Sequence, residues 1–418
     1  MAVISRIRGF LERQSHNYRM MLVRSGGHNF LYNFTGNYDS IYTTALGADP
    51  VTLGSMSSLS SAVNMMTSMP SGWLSDIYSL KRVMGLGMAV YVLMVAMYAF
   101  AGDWTWILVA MILSPLTMGL MFRSQNIMIV NGLRDGDRAT GFGLRQIMAQ
   151  LAGLISPIPA ALLVERFGGL TVEGIRPLYF IRLLGLVVLY VFVYLNLSDV
   201  APQPRSKEGT FLQDFREVFQ GKEGLKAWMA VGCLGSVVWG IMEPFTFLYA
   251  VEVKGADALT LGVMTTVSTL VSILVAVPIN MVADQRGRKA AIYLIRPFLY
   301  FWWVLLVVAP NPMWLIVAWV FRGVGMASSA WETLGMELVP SGQRGRWLGI
   351  TNTLSSLFRI PAPIIGGILY RGVNPSLIFI IPLFLDMCIR IPLLALKVPE
   401  TIREKAANES EKPAPSNL

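Results

Sequence analysis

Two carboxylates, Asp39 and Glu243, stand where the chain is otherwise apolar. A charge near the centre of a bilayer costs roughly 3 kcal/mol or more, so a carboxylate kept there implies a polar cavity and a use. Reversible uptake of a proton is one such use. Asp39 belongs to an unusually polar stretch. Asn29, Asn33 and Asn37 recur at i, i+4 and i+8 on one helical face, with Asp39 beside His28 and Tyr32 on the adjacent face. Such a face reads as the lining of a central cavity; the other reading puts Asp39 at a wet outer mouth. Glu243 precedes Pro244, which removes a backbone donor and bends its helix. The other reading makes Glu243 a structural partner for an arginine.

Arginines also fall in apolar stretches: Arg123, Arg182, Arg296, Arg322, Arg359 and Arg390. Arg296 and Arg390 lie near span ends, where they can snorkel, and Arg390 can pair with Asp386 at i+4. Arg123 and Arg322 remain as candidates for substrate binding. The candidate substrate- and proton-binding set is therefore Asp39, Glu243, Asn33, Asn37, Tyr32, Arg123 and Arg322.

The elements that must position these groups are membrane helices. Apolar residues make up 54% of the 418 and charged residues only 14%, against roughly 25% charged in soluble domains. The charges are clustered, leaving stretches such as 83–100, 183–197, 292–309 and 377–396, each close to the ~20 residues that cross ~30 Å of hydrocarbon. Without water in the bilayer core these stretches must be helical. Twelve spans are expected, at 26–46, 51–75, 82–101, 105–130, 139–164, 177–197, 226–250, 257–282, 290–309, 313–337, 346–369 and 375–396. The odd-numbered connections then hold only Arg166, Arg176, Lys254 and Arg371 as basic residues. The opposite side holds the rest, which places both termini in the cytoplasm of a cell-membrane protein. The formal charge of +9 is thus a topology signal and not a nucleic-acid footprint.

Other chemistries find no support. Cys233 and Cys388 fit neither a disulfide framework nor a metal site. His16 and His28 are too few for a metal cluster. No phosphate-cradling loop is present. The arginine-rich start has no apolar core suited to a cleavable signal peptide. No enzyme activity, cofactor or metal is expected.

The chain repeats itself. Gly47-Ala-Asp-Pro-Val-Thr-Leu-Gly54 recurs as Gly255-Ala-Asp-Ala-Leu-Thr-Leu-Gly262, and the loop around Asp76 recurs around Asp284, both at an offset of 208 residues. Each half has six spans, so the halves enter the membrane the same way round, as in one known transporter architecture. The boundaries are a basic N-terminus at 1–25, a first bundle at 26–197, a linker with a short amphipathic helix at 198–225, a second bundle at 226–397, and a disordered tail at 398–418.

The loop pair resembles the G-x-L-a-D-r-x-G-r-k motif of the major facilitator superfamily. The first copy matches at Gly72, Leu74, Asp76, Lys81 and Arg82; the second runs from Asp284 to Lys289, with Asn280 in place of the first glycine. Arg322-Gly-Val-Gly325 resembles the family's R-x-x-q-G motif, displaced from span four to span ten. The drug-exporter signature is only partial at Gly153–Pro157 and closer at Ala362-Pro363-Ile-Ile-Gly366-Gly367. The resemblance implies an all-α membrane protein of twelve helices in two parallel six-helix bundles. It implies secondary transport of a small molecule by alternating access; Asp39 and Glu243 add the expectation of proton coupling, and the chain is expected to work as a monomer among membrane lipids.

A cytoplasmic gate is expected from Gly72, Asp76, Lys81, Arg82, Asp284, Arg286, Gly287, Arg288 and Lys289. In it, Asp76 and Asp284 would each meet a positive helix N-terminus of the other bundle, and Glu332 and Glu337 would pair with Arg286 or Arg288. Tyr32, Trp239, Met242, Phe245, Phe247 and Trp331 suggest an adaptable cavity for an amphipathic or cationic exported solute. The asparagines favour sugars instead, and Arg123 with Arg322 favour anions.

Overall fold

A computed structural model describes residues 9–68, 79–134, 137–199, 223–339 and 344–400. The linker core, the tail, Gly72 and Asp76 lie outside the described residues, as does the side chain of Arg123.

Among the described residues the chain is helical, with no strand. Helix α1 runs over His16–Thr35 and continues as Asp39–Ala45; α2 begins as Pro50–Thr67. Ten further helices are long and apolar enough to cross a membrane: α3 Leu80–Ala99, α4 Trp104–Gly132, α5 Thr140–Arg166, α6 Val172–Asn196, α7 Gly224–Glu252, α8 Ala258–Arg286, α9 Arg288–Val308, α10 Pro312–Glu337, α11 Trp347–Gly372 and α12 Leu377–Lys397. The polarity of α1 explains why it stands outside that group.

Helix α1 starts ten residues before the expected boundary at 26. Arg24 is therefore not a free surface charge. It is 1% exposed, donates to Gln125 Oε1 and stacks over Phe122 at 5.4 Å. Gln125 in turn donates to Ser25 Oγ at 2.5 Å. Partners from α4 give the charge a polar site that the local sequence does not announce.

Within the first bundle α1 packs on α5 and α6, and α3 on α4 and α6; within the second, α7 packs on α11 and α12, and α9 on α10 and α12. The bundles meet along α2 with α11 and along α5 with α8. The repeated octapeptide explains how. Asp49 and Asp257 cap the starts of α2 and α8, each accepting a backbone N–H at 2.7 Å, from Thr52 and Thr260. Gly47 and Gly255 take the positive φ (98° and 71°) that turns the chain into the cap. The last glycine of each copy faces the opposite bundle. A Cβ on Gly262 would lie 2.8 Å from the Pro157 carbonyl oxygen, and one on Gly54 would collide with that of Pro363.

These contacts draw together the face opposite the one bearing His16 and Lys397. At that far face Asp49 pairs with Arg371, and Glu165 caps the first turn of α8 by accepting from Ala258 N at 3.2 Å. Asn37 clasps α8, donating to Leu261 O at 3.3 Å and accepting from Thr265 Oγ1 at 2.9 Å. Hydrogen bonding from Thr260 also holds the Asp257 carboxyl below its ordinary pKa.

Gly54→Leu should therefore keep the far face from closing. In a Cys233→Ser, Cys388→Ser background, Ser57→Cys should be labelled faster from the far face by an impermeant thiol reagent when Gly54→Leu is added. Unchanged labelling would mean that α2 and α11 can separate without cost to closure.

Candidate functional site

The two bundles enclose a cavity of about 1160 Å³. Asp39, Tyr32, Asn33 and Asn37 reach it from α1, Glu243 from α7 and Arg322 from α10. Six of the seven expected binding residues thus share one space.

Breaks in the helices aim these groups. Between His16–Thr35 and Asp39–Ala45 the backbone of α1 is interrupted, and Asp39 opens the outer segment. In α7 a 3₁₀ turn over Glu243–Phe245 contains Pro244, which cannot supply an N–H to the regular ladder.

On the first bundle's wall, Tyr179 Oη donates to Asp39 Oδ1 at 2.6 Å. Arg182, 3% exposed, donates to Thr35 Oγ1 at 2.5 Å and to Tyr91, and its charge acts on Asp39. His28 Nδ1 lies 2.7 Å from Tyr190 Oη, a bond whose direction depends on the tautomer. Asp39 is thereby set in a phenol and guanidinium frame drawn from α3 and α6.

On the second wall, Arg359 from α11 is ion-paired with Glu243, and both side chains remain open to the cavity (37% and 59%). Glu243 thus lines the cavity and partners an arginine. Arg322 donates to Ser268 Oγ at 3.3 Å and stacks over Trp302 at 5.3 Å. Behind this wall Asp386, fully buried, takes Arg296 at 3.2 Å and Arg390 at 2.9 Å. A π turn over Asp386–Arg390 widens α12 where this carboxylate sits.

Several expectations are corrected by this geometry. Arg296 and Arg390 do not snorkel; they are 4% and 7% exposed and hold Trp331 between them at 4.6 and 4.4 Å. A shared carboxylate offsets their desolvation better than a stretch to the surface. Trp331 and Phe245 do not line the cavity; Phe245 is buried against Tyr370. Asn37 reaches the cavity's edge but spends its amide on the far-face clasp.

The loop residues at the terminal face work mainly within their own bundles. Lys81 Nζ donates to the Leu197 carbonyl at 2.5 Å, and Lys289 Nζ to those of Ala395 and Val398 at 3.0 and 2.8 Å. Repeat-related lysines thus cap repeat-related helix ends. Gly287 adopts φ 112°, and a Cβ there would press on Glu400, whose carboxylate accepts from the N–H groups of Arg288 and Lys289. Arg288 pairs with Asp284 and, at 3.2 Å, with Glu337; Glu332 has no ion pair among the described residues. Asp284, its side chain 68% exposed, meets its own loop and, among the described residues, no helix of the other bundle. Arg82 and Arg286 are exposed.

The family model of the Major Facilitator Superfamily matches residues 28–363 and 254–418. The chain belongs to the Major Facilitator Superfamily. It is a transporter of that family and not an enzyme. Solved structures share its fold at low identity. A point mutant of the nucleoside transporter NupG has a TM-score of 0.73 at 13% identity, covering 91% of this chain and 99% of that one. A POT family transporter in complex with 5-aminolevulinic acid gives 0.71 at 16%, covering 92% and 96%. A D-xylose–proton symporter gives 0.71 at 13%, covering 92% and 98%. Among curated proteins none matches.

Sequence reasoning missed Arg182 as the organiser of the first wall and Arg359 as the partner of Glu243. The available signal was that an arginine in an apolar span must find polar company, but its partners lie on other helices.

Proposed function

We propose that this superfamily member is a proton-coupled carrier of a small organic solute, operating by alternating access with both termini in the cytoplasm of a cell membrane. The observation that carries the reading is the pairing of two carboxylates across one cavity, Asp39 from the first bundle and Glu243 from the second. Each stands near an arginine. Protonation of Glu243 would loosen its contact with Arg359, and protonation of Asp39 would remove the charge that acts on Arg182; either changes what holds its wall, which is the differential interaction that a coupling ion must supply. One structurally similar protein is a D-xylose–proton symporter, and a proton as coupling ion agrees with that neighbour.

The far-face contacts support an alternating-access reading. Asp49–Arg371, the Glu165 cap and the Asn37 clasp would break as the cavity turns outward, while the loops of Asp76 and Asp284 would form the opposing latch. The exposed Asp284 is then what a released latch on the terminal face looks like.

The test is flux in proteoliposomes under an imposed pH gradient, with sugars, nucleosides, amino acids and aromatic acids offered in turn. At least one solute should accumulate against its concentration gradient and leak back when a protonophore is added. Movement that ignores the pH gradient would argue for a uniporter. No movement of any solute would argue for a membrane sensor.

Within this scheme Asp284→Asn should lower turnover severalfold while leaving the melting temperature nearly unchanged. The substitution removes one contact to Arg288, which keeps Glu337, and an exposed pair contributes only about 0–1 kcal/mol. An unchanged initial rate would mean that the Asp284 loop forms no latch in the outward-facing state.

A further inference from the structure

Charges facing the cavity do not balance, and the surplus has an address. On the first wall Arg182 stands against Asp39, one to one. On the second, Arg322 and Arg359 share Glu243, two to one. Glu243 is committed to Arg359 by direct contact, so Arg322 has no carboxylate within ion-pair distance among the described residues. Arg390 also meets the cavity, but Asp386 holds it from behind.

Arg322 is prepared for a ligand in other respects. Of the five N–H donors of a guanidinium, only one is used, toward Ser268 at 3.3 Å. Its plane rests over Trp302 at 5.3 Å, which fixes the side chain before anything binds and leaves its fork free. Around this cation the wall is aromatic: Trp239 and Phe247 line the cavity and pack on the buried Trp302 and Trp319 at 6.2 and 5.9 Å.

We infer that the solute carries one net negative charge on an apolar aromatic body, with a carboxylate or similar oxyanion seated on Arg322 and its body against Trp239 and Phe247. This deepens the carrier reading above and rests on it. A carboxylate meets the arginine fork in two parallel hydrogen bonds, and charge assistance makes them about twice as strong as neutral ones. A cationic solute would face two arginines sharing one carboxylate. A neutral sugar would leave Arg322 unpaired in a partly dehydrated wall.

The experiment measures binding to the purified full chain in detergent by tryptophan quenching and melting temperature. The probes are benzoate, phenylacetate and indole-3-acetate, each beside its primary amide and the corresponding amine. At least one acid should bind about tenfold or more tightly than its own amide, and the amines should bind most weakly. Arg322→Gln should erase the difference between acid and amide while melting like the parent, because Glu243 keeps Arg359. Arg322→Lys should retain part of it. Amides or amines equal to the acids for every ring, no binding by any of the nine, or an acid preference untouched by a folded Arg322→Gln would each overturn the assignment. The wild-type comparison decides even if a variant misfolds. Binding is read without a gradient, so a charge-blind cavity would leave proton coupling standing, while acid preference without flux would leave this inference standing and sink the carrier.

Discussion

Proteoliposomes carrying Asp39→Asn are expected to lose gradient-driven accumulation down to the level of protein-free vesicles, while solute-for-solute exchange survives. The amide can still accept from Tyr179, so the first wall keeps its shape. What is lost is the negative charge that acts on Arg182 and the capacity to bind a proton at that point. Glu243→Gln should give the same split between driven flux and exchange, with an added weakening of solute binding because Arg359 loses its counter-charge. Retention of full gradient-driven transport by both variants would remove these carboxylates from coupling. Loss of exchange together with driven flux would assign them to binding alone.

The second large effect is on stability. Asp386→Asn should destabilise the protein by about 3–5 kcal/mol, the cost of leaving buried charge without its partner. Here one fully buried carboxylate serves two arginines and also accepts from Tyr300 at 2.9 Å. The melting temperature in detergent should fall far more than for Glu243→Gln, whose ion pair is open to the cavity and worth only about 0–1 kcal/mol. Adding Arg296→Met to Asp386→Asn should recover part of the loss by removing one stranded charge. A melting temperature for Asp386→Asn within a degree or so of the parent's would mean that water reaches the triad.

The helical pattern is legible in the sequence because lipid imposes one solution on an apolar stretch, and the octapeptide repeat is legible because caps and close approaches require particular residues. Asp49, Gly54, Asp257 and Gly262 can be matched by eye, and the structure gives each a task. The start of α1 is not legible, because Arg24 reads locally as a boundary charge and only its partners on α4 make it a core residue. Arg296 misleads for the same reason, since its carboxylate comes from α12; the Arg390–Asp386 pair, at i+4 on one helix, is legible locally. Lys81 and Lys289 belong to a motif that suggests gating. Their hydrogen bonds to helix ends in their own bundles depend on where α6 and α12 finish. Charges whose partners come from other helices are what a single sequence leaves open.

Solute-dependent proton movement tests coupling most directly. Proteoliposomes loaded with a pH-sensitive dye and held without any initial gradient would receive a solute that the protein binds. The account predicts a change in internal pH that starts with solute entry, scales with it and disappears in Asp39→Asn. Solute entry with no change in internal pH would contradict it.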